Sequence, residues 1–576
     1  MTTTARATGA GPAGRGFRGL WRRQLTGYPN TGPRIFYLGI VVVATIMLYY
    51  ELYLPGAVTP AIIAHYNMSF PYYVYIIVIG NAVGAFGSIA AGLADRWGRA
   101  NLVAYGLVIT GLLILFGIPN APSKLVFGIL FVAVGLVEGV ILVATPALVR
   151  DFSPQLGRAS AMGFWTLGPV VGSLALAVIS SNTLPHLHAW QDQFIICGIA
   201  GLVVAAIALV GLRELSPGVR DQLMVSSRDR ALIEARAQGI DVAASLRHPW
   251  RQMLHADIIG SAFAISVFLI IYYTAVGFFT VYFTTIFGFS LARANSIGNW
   301  FWAFDAGALI VIGVISDRAR VRKPFMVVGA AGSIAMTIYF GGLANNPHTG
   351  YYTFVWVISL LAIFLAIAYA PWMASFTETV ERRNPALTAT GLAVWGWIIR
   401  AVIAVSIFVL PFVVTTMTPL VTYGPQVKAL STKYAPELAT IKAIDPATLA
   451  ALNANPGDRA AAARAVGEVA RAKGISPAAA AHRLAAVATV PKSDLAFLQA
   501  HGPKVLAATR STPGQWQTWW WVCVGGEVAF IPLIWLMAGR WDPRRARKDA
   551  EEHERLVERE LAALHEGAPS GTPKEH

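Results

Sequence analysis

Charge is scarce in this chain. Only 13% of its 576 residues are Asp, Glu, Lys or Arg, while 56% are hydrophobic; a soluble domain carries about a quarter charged residues. That deficit excludes a water-soluble globule of this length. Cysteine is nearly absent: Cys197 and Cys523 both lie inside apolar runs, so no disulfide framework is expected. The short alternating segments of an outer-membrane barrel are missing, and no histidine sits deep in an apolar run. The basic N-terminus lacks a small-residue cleavage site after its first apolar run, so it does not read as a signal peptide. What is present is a series of apolar runs near 20 residues long, each able to cross about 30 Å of hydrocarbon. The chain reads as an all-α, multi-pass membrane protein.

Hydropathy gives twelve spans, at 35–56, 71–91, 101–119, 124–148, 162–181, 193–212, 256–284, 293–315, 325–343, 351–376, 391–415 and 517–539. Six precede a polar segment at 213–255 and six follow it. The expected plan is a basic tail (1–34), an N-terminal six-helix bundle (35–212), a central loop (213–255) and five helices of a C-terminal bundle (256–415). A helical insertion (416–516), the last span (517–540) and a second tail (541–576) complete it. Basic residues collect on one side: Arg15, Arg18, Arg22, Arg23 and Arg34 in the tail, Arg96 and Arg99, Arg150 and Arg158, seven arginines of the central loop, Arg318 to Lys323, Arg382 and Arg383, and Arg540 to Lys548. The positive-inside rule then puts both termini in the cytoplasm and the protein in the cytoplasmic membrane. The net charge of +15 is thus a topology signal and an attraction to anionic lipid, and no nucleic-acid partner is expected.

The insertion is rich in Ala and carries helix-start signals at Asp445-Pro446, Ser476-Pro477 and Asp494. It reads as a small helical unit on the extracytoplasmic side. It lacks the H-E-x-x-H, Cys/His and G-x-S-x-G patterns of metal and acyl-transfer enzymes. No enzyme activity, metal or cofactor is expected. The mixed charges of the segment after Arg540 suit a solvated helix.

Two short charged turns stand in matching places: Ala91-Gly-Leu93-Ala-Asp95-Arg96-Trp-Gly98-Arg99 after the second span and Gly313-Val-Ile-Ser-Asp317-Arg318 after the eighth. A second echo follows spans 4 and 10, Arg150-Asp151 to Pro154 and Glu381-Arg382 to Pro385. The six-plus-six plan and these turns resemble the major facilitator superfamily of secondary transporters, over 35–415 and 517–540. Its 2–3 loop motif keeps Leu93, Asp95, Arg96, Gly98 and Arg99 here, while Ala91 stands for its leading Gly; the second copy keeps Gly313, Asp317 and Arg318. The resemblance implies two pseudo-symmetric bundles rocking about a central site, with Asp95, Arg96, Gly98, Arg99, Asp317 and Arg318 as a cytoplasmic gate. Glu51-x4-Gly56-x3-Pro60 looks like the first helix of the aromatic-acid:proton symporters and related organic-anion carriers, with Glu in place of Asp. Phe131 lies where many of those carriers have an Arg, a departure in the coupling scheme. Gly168-Pro169-Val-Val-Gly172 resembles part of an antiporter motif, with Gly163 one residue out of register.

An ionisable side chain at the bilayer centre costs at least about 2.5–3.5 kcal/mol unless paired or wet, which singles out Glu51, Glu138, Asp305, Arg400 and Glu527. Span limits put the last four near the midplane and Glu51 nearer the outer end. Arg400 presents a planar fork that matches a carboxylate; it reads as a contact for an anionic substrate group or as the partner of Asp305 or Glu138. Glu51, Glu138 and Asp305 are candidate proton carriers or structural acids, and Glu527 reads as structural. Tyr53, Trp302, Trp395 and Trp397 are candidates to line the cavity. The expected function is proton-coupled uptake of a small organic anion by a monomeric carrier; the alternative is proton-driven efflux of amphiphilic compounds.

Overall fold

The computed structural model describes residues 23–87, 97–152, 157–216, 218–219, 249–384, 387–455, 457–545 and, beyond these, 547–548, 551–552 and 555–556; of 150, 157–167, 249–250 and 388–389 it gives the backbone alone. The N-terminal half comprises α1 (Thr31–His65), α2 (Phe70–Gly87), α3 (Arg99–Leu112), α4 (Lys124–Phe152), α5 (Gly157–Thr183) and α6 (Trp190–Gly211). The C-terminal half comprises α7 (Ala256–Ile286), α8 (Leu291–Ala319), α9 (Lys323–Leu343), α10 (Tyr351–Arg383) and α11 (Thr388–Val413). Short helices α12 (Met417–Thr422), α13 (Gly424–Lys433), α14 (Ala435–Ile441), α15 (Pro446–Ala454), α16 (Arg459–Lys473) and α17 (Pro477–Ala488) lead into α18 (Lys492–Leu533). Eleven of the described helices are long and apolar enough to cross a membrane, and α5, apolar over Gly168–Thr183, supplies the twelfth. This is a multi-pass membrane protein. Below, the terminal face is the one where α1 begins and α18 ends.

Close approach of helices explains much of the glycine. Gly84, Gly135 and Gly139 face backbone carbonyls across the α2–α4 contact, where a methyl group would intrude. Small residues are what lets membrane helices pack without a hydrophobic driving force between them. Gly329 plays the same part between α9 and α10 in the second half.

Three expectations are corrected. First, α1 does not stop near 56: it runs to His65 through Pro55 and Pro60, with a kink at Val58. A membrane helix tolerates such prolines where neighbours re-satisfy the freed carbonyls. Glu51 therefore lies about 21 Å from the far end of its helix, at mid-depth. Second, the tail and the central loop are not independent. Residues Gln24–Leu25 (β1) pair in parallel with Glu214–Leu215 (β2), and Arg23, 1% exposed, donates from Nη1 to the Ala208 carbonyl at 2.9 Å. Burial pulls the Arg23 guanidinium below its usual pKa. Third, the limit expected at 516 falls inside α18, a 42-residue helix about 63 Å long that carries the insertion straight into the last span.

Within the insertion, Asp445 and Ser476 cap α15 and α17, accepting from Ala447 N (2.9 Å) and Ala479 N (3.2 Å). Asp494 lies in the first turn of α18 and accepts from the Tyr434 hydroxyl at 2.9 Å. A satellite core of Ile444, Ala465, Val469 and Ala480 holds the outer helices together. Helix α12 is different: Met417, Leu420 and Val421 are buried in the main core, and Thr418 Oγ1 accepts from Phe70 N, at the start of α2, at 3.1 Å. Most of the helix expected after Arg540 lies outside the described residues.

Candidate functional site

The site begins with the stripe that each helix turns inward. On α1 the residues Tyr49, Leu52, Tyr53 and Gly56 recur at helical spacing and line a central cavity of about 290 Å³. Gly80, Asn81 and Gly84 of α2, Phe131, Glu138 and Leu142 of α4, Tyr272 and Tyr273 of α7, Asp305 and Leu309 of α8, Tyr369 of α10, and Trp395 and Arg400 of α11 complete the wall. Leu142 and Leu309 lie one turn beyond Glu138 and Asp305 toward the terminal face, and Ile407 lies about two turns beyond Arg400 toward the opposite face, so the cavity spans mid-depth. Both halves contribute. Three ionisable side chains share the space with five tyrosines.

Glu138 is 2% exposed, and its Oε1 has no hydrogen-bond partner among the described residues. Asp305 is 4% exposed. Arg400 lies within electrostatic reach of the Tyr49 and Tyr273 hydroxyls, Asp305 within reach of Tyr272 and Tyr369, and Glu138 within reach of Tyr53.

Glu51 is not on this wall. At 100° per residue it points away from the Tyr49–Tyr53 stripe, toward α6, where Gly201 leaves the room its carboxyl occupies. It is buried, with Thr110 of α3 beside it, and it interacts electrostatically with Glu138 across the wall. Trp395 and Tyr53 line the cavity. Trp302 lines a smaller recess of about 40 Å³ toward the opposite face, with Tyr53, Gly56 and Asn295. Trp397 is corrected: two residues past Trp395 it turns to the outside of the bundle and is 54% exposed. Glu527 sits apart, between α18 and α9, accepting from Ser333 Oγ (2.5 Å) and Thr337 Oγ1 (2.9 Å).

The Gly56-x3-Pro60 motif has a local physical reading. Pro60 has no N–H, so it leaves the Gly56 carbonyl without its helical donor. Thr280 of α7 supplies one through its hydroxyl. Gly56 also has no Cβ, and the Val276 carbonyl approaches it where a Cβ would stand. Asn295 of α8 donates to the Ala57 carbonyl at 2.9 Å, and Asn299 to Ser181 Oγ at 3.1 Å. These contacts join the two halves between the cavity and the opposite face.

On the terminal face, Asp95 and Arg96 lie outside the described residues. Gly98 has φ +88° and Arg99 opens α3. The α3 N-terminus is capped from a distance: Glu214 Oε2 accepts from Arg99 N at 2.6 Å and Ala100 N at 3.4 Å, where the helix dipole favours an anion. Sequence reading named Asp95 in the gate and missed Glu214, whose signal was an acid just after span 6. Arg99 Nη1 donates to both Asp151 oxygens, at 3.0 and 2.8 Å. In the second half Arg322 takes this part, with Glu378 at 3.2 Å and Asp317 at 2.7 Å. Arg318, expected there, is exposed. In both halves an Arg at the start of the third helix meets an acid at the end of the fourth.

The Major Facilitator Superfamily pattern matches residues 41–406. The MFS transporter asaE of Aspergillus flavus is 29% identical over 151 residues, 24% of this chain and 33% of that protein. The efflux pump radE of Floropilus chiversii is 24% identical over 202 residues, 33% of this chain and 36% of that protein. The quinolone resistance protein NorB of Staphylococcus aureus is 30% identical over 122 residues, 21% of this chain and 26% of that protein. The matched stretch thus spans between a quarter and about a third of these relatives' lengths. Among solved structures, a bacterial homolog of the human lysosomal transporter Spinster, inward-facing and unoccupied, aligns over 89% of this chain and 100% of its own, with TM-score 0.53 and 16% identity. A D-xylose-proton symporter aligns over 66% of this chain and 90% of its own, with TM-score 0.50 and 14% identity; both likenesses concern the fold. The twelve-helix, two-bundle plan agrees with the family match, and one conclusion follows: the chain belongs to the Major Facilitator Superfamily, a family of membrane transporters rather than enzymes.

Proposed function

We propose that the protein is a proton-coupled carrier of a small organic anion, resident in the cytoplasmic membrane with both termini in the cytoplasm. The observation that carries this reading is Arg400 on the wall of a mid-depth cavity shared by both halves. Its fork suits a carboxylate, and the tyrosines and Trp395 suit a ring beside it. Glu138, buried with one oxygen unpartnered among the described residues and within electrostatic reach of Glu51, supplies the proton site. A carboxyl group between two such environments gains and loses a proton as the cavity changes access. Asp95 and Arg96 with Gly98, Arg99, Asp317 and Arg318 form the cytoplasmic gate in this reading, Glu214 and Arg322 acting with them.

Purified protein in liposomes tests this. An inward proton gradient is expected to drive accumulation of aromatic carboxylates, and Arg400→Ala to abolish it. Carboxylate flux that ignores both the gradient and Arg400 would sink the reading. A second reading, proton-driven efflux, is favoured by the names of two relatives, an efflux pump and a quinolone resistance protein. It predicts extrusion of amphiphilic compounds in the same liposomes.

A further inference from the structure

We propose that the terminal face carries a site for the phosphodiester headgroup of an anionic phospholipid, in the corner where α9 begins and α10 and α18 end, with Lys323 as its central contact. Lys323 is the first residue of α9 and is only 7% exposed. Lysine is almost never buried to this degree unless it is paired, yet Lys323 has no hydrogen bond or ion pair among the described residues. Two further cations lie within its electrostatic reach, Arg382 at the end of α10 and Arg540 beyond the end of α18. Asp317 and Glu378, acids of the same face, are held by Arg322 at 2.7 and 3.2 Å. Helix α9 packs against both α10 and α18, so the three cations share one corner. The start of α9 adds the positive end of its dipole, and its N-cap residue, Arg322, supplies no side-chain cap. Like charges brought together repel, and an anion among them turns that repulsion into attraction.

The surroundings select a lipid over a soluble anion. Lys323 Nζ lies 5.8 Å from the centre of the Trp541 ring, and Trp541 packs against Trp535 with ring centres 5.2 Å apart. Both indoles are exposed. Tryptophan at the end of a membrane span sits at headgroup level. Farther along α9 and α18, Val328 and Val528 are exposed and apolar, as a bilayer-facing surface requires. A soluble phosphate would use the cations alone. A phospholipid uses the cations for its phosphate and the indoles for the first part of its acyl chains. A zwitterionic lipid brings its own ammonium to a corner already rich in cations, so the favoured headgroup is anionic. None of this depends on the cargo.

Full-length protein in neutral detergent, mixed with equal amounts of phosphatidylglycerol and phosphatidylcholine of the same acyl chains, tests the site. Native mass spectrometry reads the ratio of the two lipids retained. Phosphatidylglycerol is expected to be preferred about tenfold, the worth of one charge-assisted contact. Lys323→Gln should bring the ratio close to one, and Lys323→Arg should keep it. Arg382→Gln, at an exposed position, should lower it about threefold. Arg464→Gln removes one charge from an exposed position of α16 in the insertion and should leave the ratio unchanged. A parent ratio near one overturns the proposal, and so does an equal fall in Lys323→Gln and Arg464→Gln, which would mean attraction by net charge alone. Excess inorganic phosphate should leave the lipid in place; its displacement would assign the corner to a soluble phosphate and overturn the lipid. If Lys323→Gln does not fold, Arg382→Gln decides, and an unchanged ratio there overturns the site.

Discussion

Replacing Gly56 by Ala is expected to open the protein on the face opposite its termini. The added Cβ would meet the Val276 carbonyl oxygen, a backbone atom with no rotamer to escape into. Helices α1 and α7 must therefore separate. Overpacking of this kind costs about 1–3 kcal/mol. Separation also strains the Thr280–Gly56 and Asn295–Ala57 hydrogen bonds, each worth about 0.5–1.5 kcal/mol. A combined loss of about 2–4 kcal/mol moves the closed-to-open ratio about thirty- to a thousandfold. Thr280→Val removes one bond without the clash and should move it about fivefold. Spin labels at Leu187→Cys and His348→Cys, exposed on the two halves at that face, report the separation; the native Cys197 and Cys523 are buried and stay unlabelled. A longer inter-label distance in Gly56→Ala, with a smaller shift in Thr280→Val, is the expected result. A folded Gly56→Ala protein with the parent's distance distribution would refute the idea that these contacts hold the halves together.

Arg400→Ala should reduce carboxylate uptake about thirtyfold or more, and Arg400→Lys should restore little, because the planar fork is lost; initial rates in liposomes check both. Glu138→Gln should spare exchange of labelled for unlabelled substrate while removing accumulation driven by a proton gradient, and Glu51→Gln should weaken accumulation less, since Glu51 lies behind the wall. Glu214→Ala removes the acceptor at the α3 N-terminus and should cost about 1 kcal/mol, read as a lower thermal midpoint in detergent. Replacing residues 443–490 by a short linker should leave transport intact, whereas a deletion that includes α12 should not, because Met417 and Val421 are buried against the bundle and Thr418 binds α2.

The membrane class, the number of spans and their duplication were legible because each rests on local composition: an apolar run must cross the bilayer as a helix wherever it lies in the fold. The midplane acids and Arg400 stood out for the same reason, since an ionisable group in an apolar run is conspicuous without coordinates. The direction in which a side chain points was not legible. Trp395 and Trp397 are equal in composition, yet 200° of helix rotation sends one into the cavity and the other to the outside. Glu51 was read as one of three similar acids, but its orientation toward Gly201 removes it from the cavity wall.

Contacts between distant segments belong wholly to the tertiary structure. Glu214 reaches Arg99 across 115 residues, and Phe70 reaches Thr418 across 348. The sequence by itself determined the class, the spans and the list of unusual charges, because hydrocarbon imposes those residue by residue. Only the packed structure decided that Pro60 frees a carbonyl for Thr280, that Arg322 rather than Arg318 repeats the role of Arg99, and that Glu138, Asp305 and Arg400 share one cavity. Each of these depends on how helices rotate and approach one another, and no local rule sets that.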